Sequence, residues 1–197
     1  MNSKHIWLLR HGEPVGGDGK IRGQSDDPLT ELGWQQLWQA TSSLQVNRVF
    51  SSPLQRCAAF GEAYAHQNQL AFTIIPELIE MRMGSWEGKS KAEVFTSSDM
   101  VHRYARNPSS CLPKDAEPFT SITHRAMHVL EQLVQASEPN LLVVAHAGII
   151  RFIMAQALNI PIESAMRIKL PFAACVPLTV IMDETDMFGQ LHWPKSS

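Results

Sequence analysis

Short apolar runs alternate along the chain with segments of helical periodicity, the order typical of a sheet whose strands are joined by helices. The runs predict strands over residues 5–10, 48–51, 71–75, 140–145, 176–182 and 190–193. The nearly all-apolar fourth run predicts a central strand, and the last strand is expected at an edge. We therefore expect a single α/β domain over residues 1–197, with a mostly parallel central sheet and helices on both faces.

The first helix is predicted by a capping residue followed by spaced apolar positions. Thr30 is the expected N-cap, because its hydroxyl can accept from a free backbone N–H of the first turn. The apolar stripe that would face the sheet consists of Leu32, Leu37, Ala40 and Leu44.

Further helices are predicted by start signals and by periodicity. Ser52 as N-cap and Pro53 at the first helical position predict a helix that runs to about residue 68. Two more are predicted over 121–135 and 149–158. The segment 89–119 contains three prolines, which interrupt any long helix. We expect this segment to form a small helical excursion over one end of the sheet.

Composition narrows the class of protein. Hydrophobic residues make up 44% of the 197 residues, which is enough to build a core, and no apolar run approaches a membrane span. A net charge of −2 offers no general attraction to nucleic acid or to an anionic membrane. The three cysteines, Cys57, Cys111 and Cys175, are too far apart for a disulfide framework. We therefore expect a cytoplasmic protein that binds neither nucleic acid nor membranes.

Two histidines follow predicted strands in the same way. One apolar run leads into Arg10-His11-Gly12, and another leads into His146-Ala147-Gly148. Either histidine alone could be an ordinary turn residue. Because the carboxyl ends of parallel strands meet at one edge of a sheet, where α/β sheets bind ligands, the pair predicts a shared site.

Two further segments add charge to this picture. Arg56 lies in the first turn of a predicted helix, where a cation is unfavourable unless it meets an anion, although it could simply be solvated. The loop 77–88 carries Glu77, Glu80 and Glu87 among two glycines and a tryptophan. Arginine forks match phosphate oxygens, neutral imidazole is a nucleophile, and a carboxylic acid can protonate a leaving oxygen.

Four segments that carry these residues resemble the histidine phosphatase superfamily, also called the phosphoglycerate mutase-like family. They are LLRHGEP at 8–14, SSPLQRC at 51–57, ELIEMRMGSWEG at 77–88 and VVAHAG at 143–148. The resemblance implies that His11 becomes phosphorylated, that Glu80 is the general acid, and that no metal or cofactor takes part. It implies that the phosphoryl oxygens and the substrate are held by Arg10, Arg56 and His146, with Gly23, Gln24 and Ala147 as further substrate contacts.

The proposed chemistry sets requirements on both histidines. His11 must be neutral, so we expect its second nitrogen to donate to a backbone carbonyl, in the 16–19 loop. A protonated His146 would add positive charge at the phosphoryl group. One position departs from the family, because Gly17 stands where an asparagine is common, and another group must then supply that hydrogen bond.

The resemblance leaves the substrate open. The segments 23–30 and 80–88 and the chain length are most similar to phosphatases of α-ribazole 5′-phosphate, although 113–120 lacks the glycine-glutamate-serine-like stretch often found there. The alternatives are a broad-specificity phosphatase of sugar phosphates or nucleotides and a mutase, which is usually longer. A phosphate-binding domain without catalysis is a further alternative. The partner is expected to be a small phosphate ester, and the protein a monomer or homodimer.

Two other residue pairs admit a chemical interpretation but favour a structural one. His124 and His128 lie four residues apart on a predicted helix, yet no neighbouring glutamate or cysteine completes a zinc site. Trp34 and Trp38 share the same spacing and are expected to pack in the core.

Overall fold

Six strands form one mixed sheet in the order β3-β2-β4-β1-β5-β6 in the computed structural model, which describes residues 2–182 and 187–192. The strands are β1 Asn2–Arg10, β2 Arg48–Ser51, β3 Ala71–Ile74, β4 Asn140–Ala145, β5 Cys175–Met182 and β6 Met187–Leu191. The four strands from β3 to β1 are parallel, whereas β5 and β6 continue the sheet antiparallel. This confirms the predicted α/β class and a mostly parallel sheet.

The predicted strands are all found, with small shifts at their ends. β2 and β4 have the predicted bounds, and β4 is central because it lies between β2 and β1. The last strand forms the edge, as expected, but it covers Met187–Leu191; Trp193 of the predicted segment lies outside the described residues.

Seven α-helices lie within the described residues. They are α1 Glu31–Thr41, α2 Gln55–Asn68, α3 Lys91–Val94, α4 Ser98–Arg106, α5 Phe119–Gln135, α6 Ala147–Leu158 and α7 Ile162–Ala165. Thr30 caps α1 as predicted, since its side chain accepts from the backbone N–H of Gly33. Among the described helices, none has the length and apolar character that a membrane crossing requires.

The alternation of side chains in β4 creates two cores, one on each face of the sheet. Leu142 and Val144 pack with residues of α1 and α2, whereas Leu141 and Val143 pack with residues of α5 and α6. Successive side chains of a strand point to opposite faces, so an all-apolar strand must be covered on both. Helices therefore cover both faces, as the sequence predicted.

Two details of the predicted helices were wrong. Leu32 of the predicted stripe is 50% exposed, whereas Leu37 is buried and Ala40 and Leu44 pack against the same core, as predicted. Trp34 and Trp38 also pack there, as expected, in edge contact with Phe60.

The helix α2 begins at Gln55 with Leu54 as its N-cap, and not at Ser52 and Pro53. The Ser52 hydroxyl accepts from the backbone N–H of Leu54 and also contacts His146. These two contacts hold residues 52–54 outside the helix, so that α2 begins at Gln55.

The segment 89–119 forms the expected helical excursion, consisting of α3, α4 and a 3-10 turn at Pro108–Cys111. Ring contacts between Trp86, Phe95 and Tyr104 attach it to the loop that precedes it. The excursion thereby brings Tyr104 to the carboxyl edge of the sheet.

Candidate active site

The two strand-end histidines meet at the carboxyl edge of the sheet. β1 and β4 are parallel neighbours whose register pairs Arg10 with Ala145, so that His11 and His146 follow side by side. The backbone N–H of His11 donates to the carbonyl of Ala145 at 2.9 Å, and the two imidazole centroids are 5.2 Å apart. The structure thus brings together the two residues whose matching sequence context predicted a shared site.

The environment of His11 keeps its imidazole neutral. The ring is 5% exposed, and its Nδ1 lies 2.7 Å from the carbonyl oxygen of Gly12, to which it donates. Burial, and to a lesser degree the charges of Arg56 and Arg10, lower the pKa of His11 to about 3. The expected carbonyl partner is therefore present, but in the next residue and not in the 16–19 loop, because the turn after β1 already brings it within reach. Nε2 is left unprotonated.

His146 is also neutral, contrary to the protonated form expected from the sequence. The ring is fully buried, and burial together with the nearby charge of Arg56 lowers the pKa of His146 well below its ordinary value. The Arg56 Nε always carries hydrogen, so Nδ1 of His146 accepts from it at 3.2 Å. The proton of the neutral ring is then on Nε2, which donates to the Ser52 hydroxyl at 2.7 Å.

The two predicted arginines are both positioned by backbone carbonyls. Arg56 is 1% exposed and donates to the carbonyls of Ser25 and Gly23, so it is not a solvated side chain. Arg10 donates to the carbonyl of Leu170, and its guanidinium stacks 4.3 Å from the ring centroid of Phe172. The Nε of Arg10 is buried without a partner among the described residues, which suits it to an incoming anion.

Glu80 is the carboxylate of loop 77–88 that contacts the start of α6, directly after His146. Its two oxygens accept from the backbone N–H groups of Met81, Gly148 and Ile149, the latter two in the first turn of α6. Glu87 has a different role, since it accepts from the backbone N–H groups of Gln24 and Met83 and so holds two loops together.

The remaining predicted positions surround this centre. The Gln24 side chain donates to the carbonyl of Glu80 at 3.0 Å, which occupies it within the protein. Gly23 has a φ of +53°, and a Cβ there would collide with the Glu87 carboxylate, so glycine is required. Gly23 and Ala147 both line the cavity that opens beside His11. Gly17 also has a positive φ, with open space around it.

A cavity of about 320 Å³, which we call the histidine cavity, opens beside His11. Most of the predicted site residues line it, as do several that sequence reasoning missed. The missed residues in or beside its wall are Ser52, Asp18, Lys20, Ile21, Arg22, Met81, Met83, Lys91, Tyr104, Gly148, Arg151 and Met166. Arg151 could have been predicted from the sequence by the argument used for Arg56, because it is a cation near the start of the predicted helix that follows His146. The apolar residues of the wall have no sequence pattern that indicates a binding site.

The site is organised for an anion held by protein groups. Among the described residues, no group of three or more histidine, cysteine, aspartate or glutamate side chains could hold a metal ion. His124 and His128 are both exposed on α5, with ring centroids 4.3 Å apart, and lie outside the histidine cavity. A neutral imidazole beside a buried guanidinium, Arg56, and a half-buried one, Arg10, fits phosphoryl transfer to histidine.

Comparisons with known proteins agree with this arrangement. The model of the histidine phosphatase superfamily (branch 1) matches residues 6–187. The chain is 26% identical over 171 residues to an adenosylcobalamin/alpha-ribazole phosphatase of Escherichia coli (strain K12), covering 84% of each chain. It is 24% identical over 176 residues to a glucosyl-3-phosphoglycerate phosphatase of Mycolicibacterium vanbaalenii, covering 83% of this chain and 78% of that one. The native structure of a mycobacterial glucosyl-3-phosphoglycerate phosphatase has the same fold, with a TM-score of 0.82, 21% identity and coverage of 99% and 100%.

Proposed function

Because the chain belongs to the histidine phosphatase superfamily, we propose that it hydrolyses a small phosphate monoester through a phosphohistidine at His11. The observation that carries this proposal is the neutral, buried His11, whose Nδ1–H is held by Gly12 while Arg10 and Arg56 flank it. A nucleophile must present a lone pair, and buried guanidinium groups favour the charge of the phosphoryl oxygens.

The reaction follows from the placement of these groups. Nε2 of His11 attacks phosphorus in line as the bond to the leaving oxygen breaks, and Arg10 and Arg56 hold the equatorial oxygens. Glu80 donates its proton to the leaving alcohol. Glu80 then takes a proton from a water molecule, which attacks the phosphohistidine and releases inorganic phosphate and free His11.

We propose α-ribazole 5′-phosphate as the substrate, since five apolar or aromatic side chains form part of the wall of the histidine cavity. Ile21, Met81, Met83, Met166 and Tyr104 form this part of the wall. Thioether sulfur contacts aromatic rings favourably and adapts to their shape, so the wall suits a leaving group with an aromatic base. The similarity to the alpha-ribazole phosphatase of Escherichia coli supports this choice.

A second candidate, an ester that also carries a carboxylate, is favoured by Arg151. This side chain lines the histidine cavity and a neighbouring cavity that contains Lys169 and Lys91. Cations beyond the phosphoryl site suit a glycerate group of the kind that the name of the Mycolicibacterium relative implies.

One panel of substrates separates these candidates. We expect kcat/KM to be highest for α-ribazole 5′-phosphate and to fall about tenfold in Met83→Ser, the effect of about 1.4 kcal/mol of lost apolar contact. Arg151→Met should change it little. A preference for glucosyl-3-phosphoglycerate that disappears in Arg151→Met would select the second candidate. Transfer of phosphate to a second alcohol, instead of release to water, would indicate a mutase.

Labelled phosphate tests the catalytic proposal itself. We expect wild-type protein quenched during turnover to carry acid-labile phosphate, and His11→Ala to lose both this label and activity while it remains folded. His124→Ala is the matched control, because His124 is exposed on α5 outside the histidine cavity. Turnover without label would overturn the proposal, and neither turnover nor label would leave a phosphate-binding domain.

A further inference from the structure

One arginine of the histidine cavity has no role in the mechanism derived so far. Arg22 follows the glycine-rich turn after His11 and precedes Gly23, and its side chain is 8% exposed. It lines the cavity together with His11, Arg10 and Arg56. Burial of a guanidinium is costly unless it is paired or binds an anion, so its position calls for a partner.

The protein satisfies Arg22 only in part. Nε donates to the carboxylate of Asp27 at 3.0 Å, Nη2 donates to the carbonyl of Val15 at 2.9 Å, and Nη1 makes a long contact of 3.5 Å with the carbonyl of Lys20. A guanidinium has five N–H groups, so one hydrogen on each Nη has no partner among the described residues. The Asp27 carboxylate is moreover shared, because Lys20 Nζ lies 3.8 Å from its other oxygen.

The charge balance of the cavity favours a dianion near Arg22. The lining includes six cationic side chains and two carboxylates: Arg10, Lys20, Arg22, Arg56, Lys91 and Arg151 against Asp18 and Glu80. The positive charge of Arg22 reaches the nucleophile, since it is among the charges that lower the pKa of His11. A doubly charged phosphate monoester would offset part of this excess.

We propose that Arg22 is a third arginine of the phosphoryl site, whose free Nη hydrogens bind an equatorial oxygen. This inference rests on the proposed function. The neighbouring loop offers no side chain for the purpose at Gly16 or Gly17, and a Cβ at Gly16 would lie 3.3 Å from Arg22 Nη2. Arg22 therefore supplies the donor that Gly17 cannot.

The test compares Arg22→Gln with wild type on p-nitrophenyl phosphate and in inhibition by inorganic phosphate. We expect kcat/KM to fall about 100-fold, as when one preorganised donor to a developing anion is removed, and inhibition by phosphate to weaken about tenfold or more. Arg48→Gln is the matched control, because it removes an arginine–carboxylate pair with Glu138 at the amino end of β2.

A second variant distinguishes phosphate binding from support of the loop. Asp27→Asn removes the ionic partner of Arg22 but keeps its guanidinium, so we expect phosphate inhibition to change less than threefold. Equal losses in Asp27→Asn and Arg22→Gln, or unchanged phosphate inhibition in Arg22→Gln, would overturn the proposal.

Two further measurements keep the test decisive. If Arg22→Gln does not fold, Arg22→Lys keeps the charge but loses the forked donors; phosphate inhibition should weaken several-fold, and an unchanged value would again overturn the proposal. Phosphohistidine formation by wild-type protein is measured in parallel. Its absence would overturn the proposed function, whereas its presence with an unaffected Arg22→Gln would overturn only the role of Arg22.

Discussion

Replacing Glu80 by glutamine tests the general acid of the proposed reaction. Glu80 lines the histidine cavity, and its oxygens accept from the backbone N–H groups of Met81, Gly148 and Ile149. Glutamine has nearly the same shape and keeps one oxygen acceptor. It cannot donate an acidic proton, and its amide nitrogen cannot accept from Gly148. The substitution therefore removes the chemistry and one hydrogen bond at the start of α6.

The loss of the proton donor is measured by enzyme kinetics, and the loss of the hydrogen bond at α6 is measured by the free energy of unfolding. A general acid typically contributes about 10²-fold to the rate, or about 2.7 kcal/mol of barrier, when the leaving group is a poor one. We expect this loss on an alkyl phosphate. On p-nitrophenyl phosphate the loss should be well under tenfold, because that leaving oxygen needs little protonation. The lost cap at α6 should lower the free energy of unfolding by about 1 kcal/mol, independently of substrate.

The assay compares kcat/KM of Glu80→Gln on the two esters, with urea unfolding as the measure of stability. Glu77→Gln is the matched control in the same loop, and it should leave both esters unaffected. Glu87→Gln should instead lower stability, because Glu87 holds the backbones of Gln24 and Met83. Equal losses on both esters in Glu80→Gln, or a leaving-group-dependent loss in Glu77→Gln, would refute the assignment.

Three other outcomes follow from the site. Activity should survive excess chelator, since guanidinium groups supply the positive charge; loss in chelator with recovery on adding metal would contradict this. The unfolded chain binds a proton at His11 below about pH 6.5 that the native chain excludes down to about pH 3, so the free energy of unfolding in urea should fall as the pH drops through this window. His11→Gln should make this slope smaller but not abolish it, because the lowered pKa of His146 has the same effect. Ser52→Ala should lower kcat/KM about tenfold by leaving the Nε2–H of His146 only the Sγ of Cys57, a weak acceptor at 3.5 Å, whereas Ser51→Ala, equally buried but bonded only to a backbone carbonyl, should not.

The order of elements and the class of fold could be predicted from the sequence because both depend on local patterns. The all-apolar run of β4 requires cover on both faces, which indicates a central strand and helices on either side. The strand ends at Arg10-His11 and Ala145-His146 then place both histidines at one edge, since parallel strands align their carboxyl ends. These inferences need only periodicity and topology.

The electrostatic state of the site was decided by the tertiary structure. Whether His146 is charged depends on its complete burial and on the Arg56 Nε that donates to it, and neither can be seen in the sequence around it. The observed start of α2 also differs from the predicted one because of a distant contact. The Ser52 hydroxyl bonds His146, 94 residues away, as well as the backbone N–H of Leu54 before α2.

The walls of the histidine cavity also depended on contacts between distant segments. Arg22, Tyr104 and Arg151 come from a turn, an excursion and a helix whose local patterns do not point to a common site. The sequence alone thus determined the fold class, and it indicated the residues to which the proposed chemistry is assigned: two histidines, two arginines and a carboxylate. Only the packed chain decided their protonation, their partners and the shape of the space for the substrate, because desolvation and distance act between residues far apart in sequence.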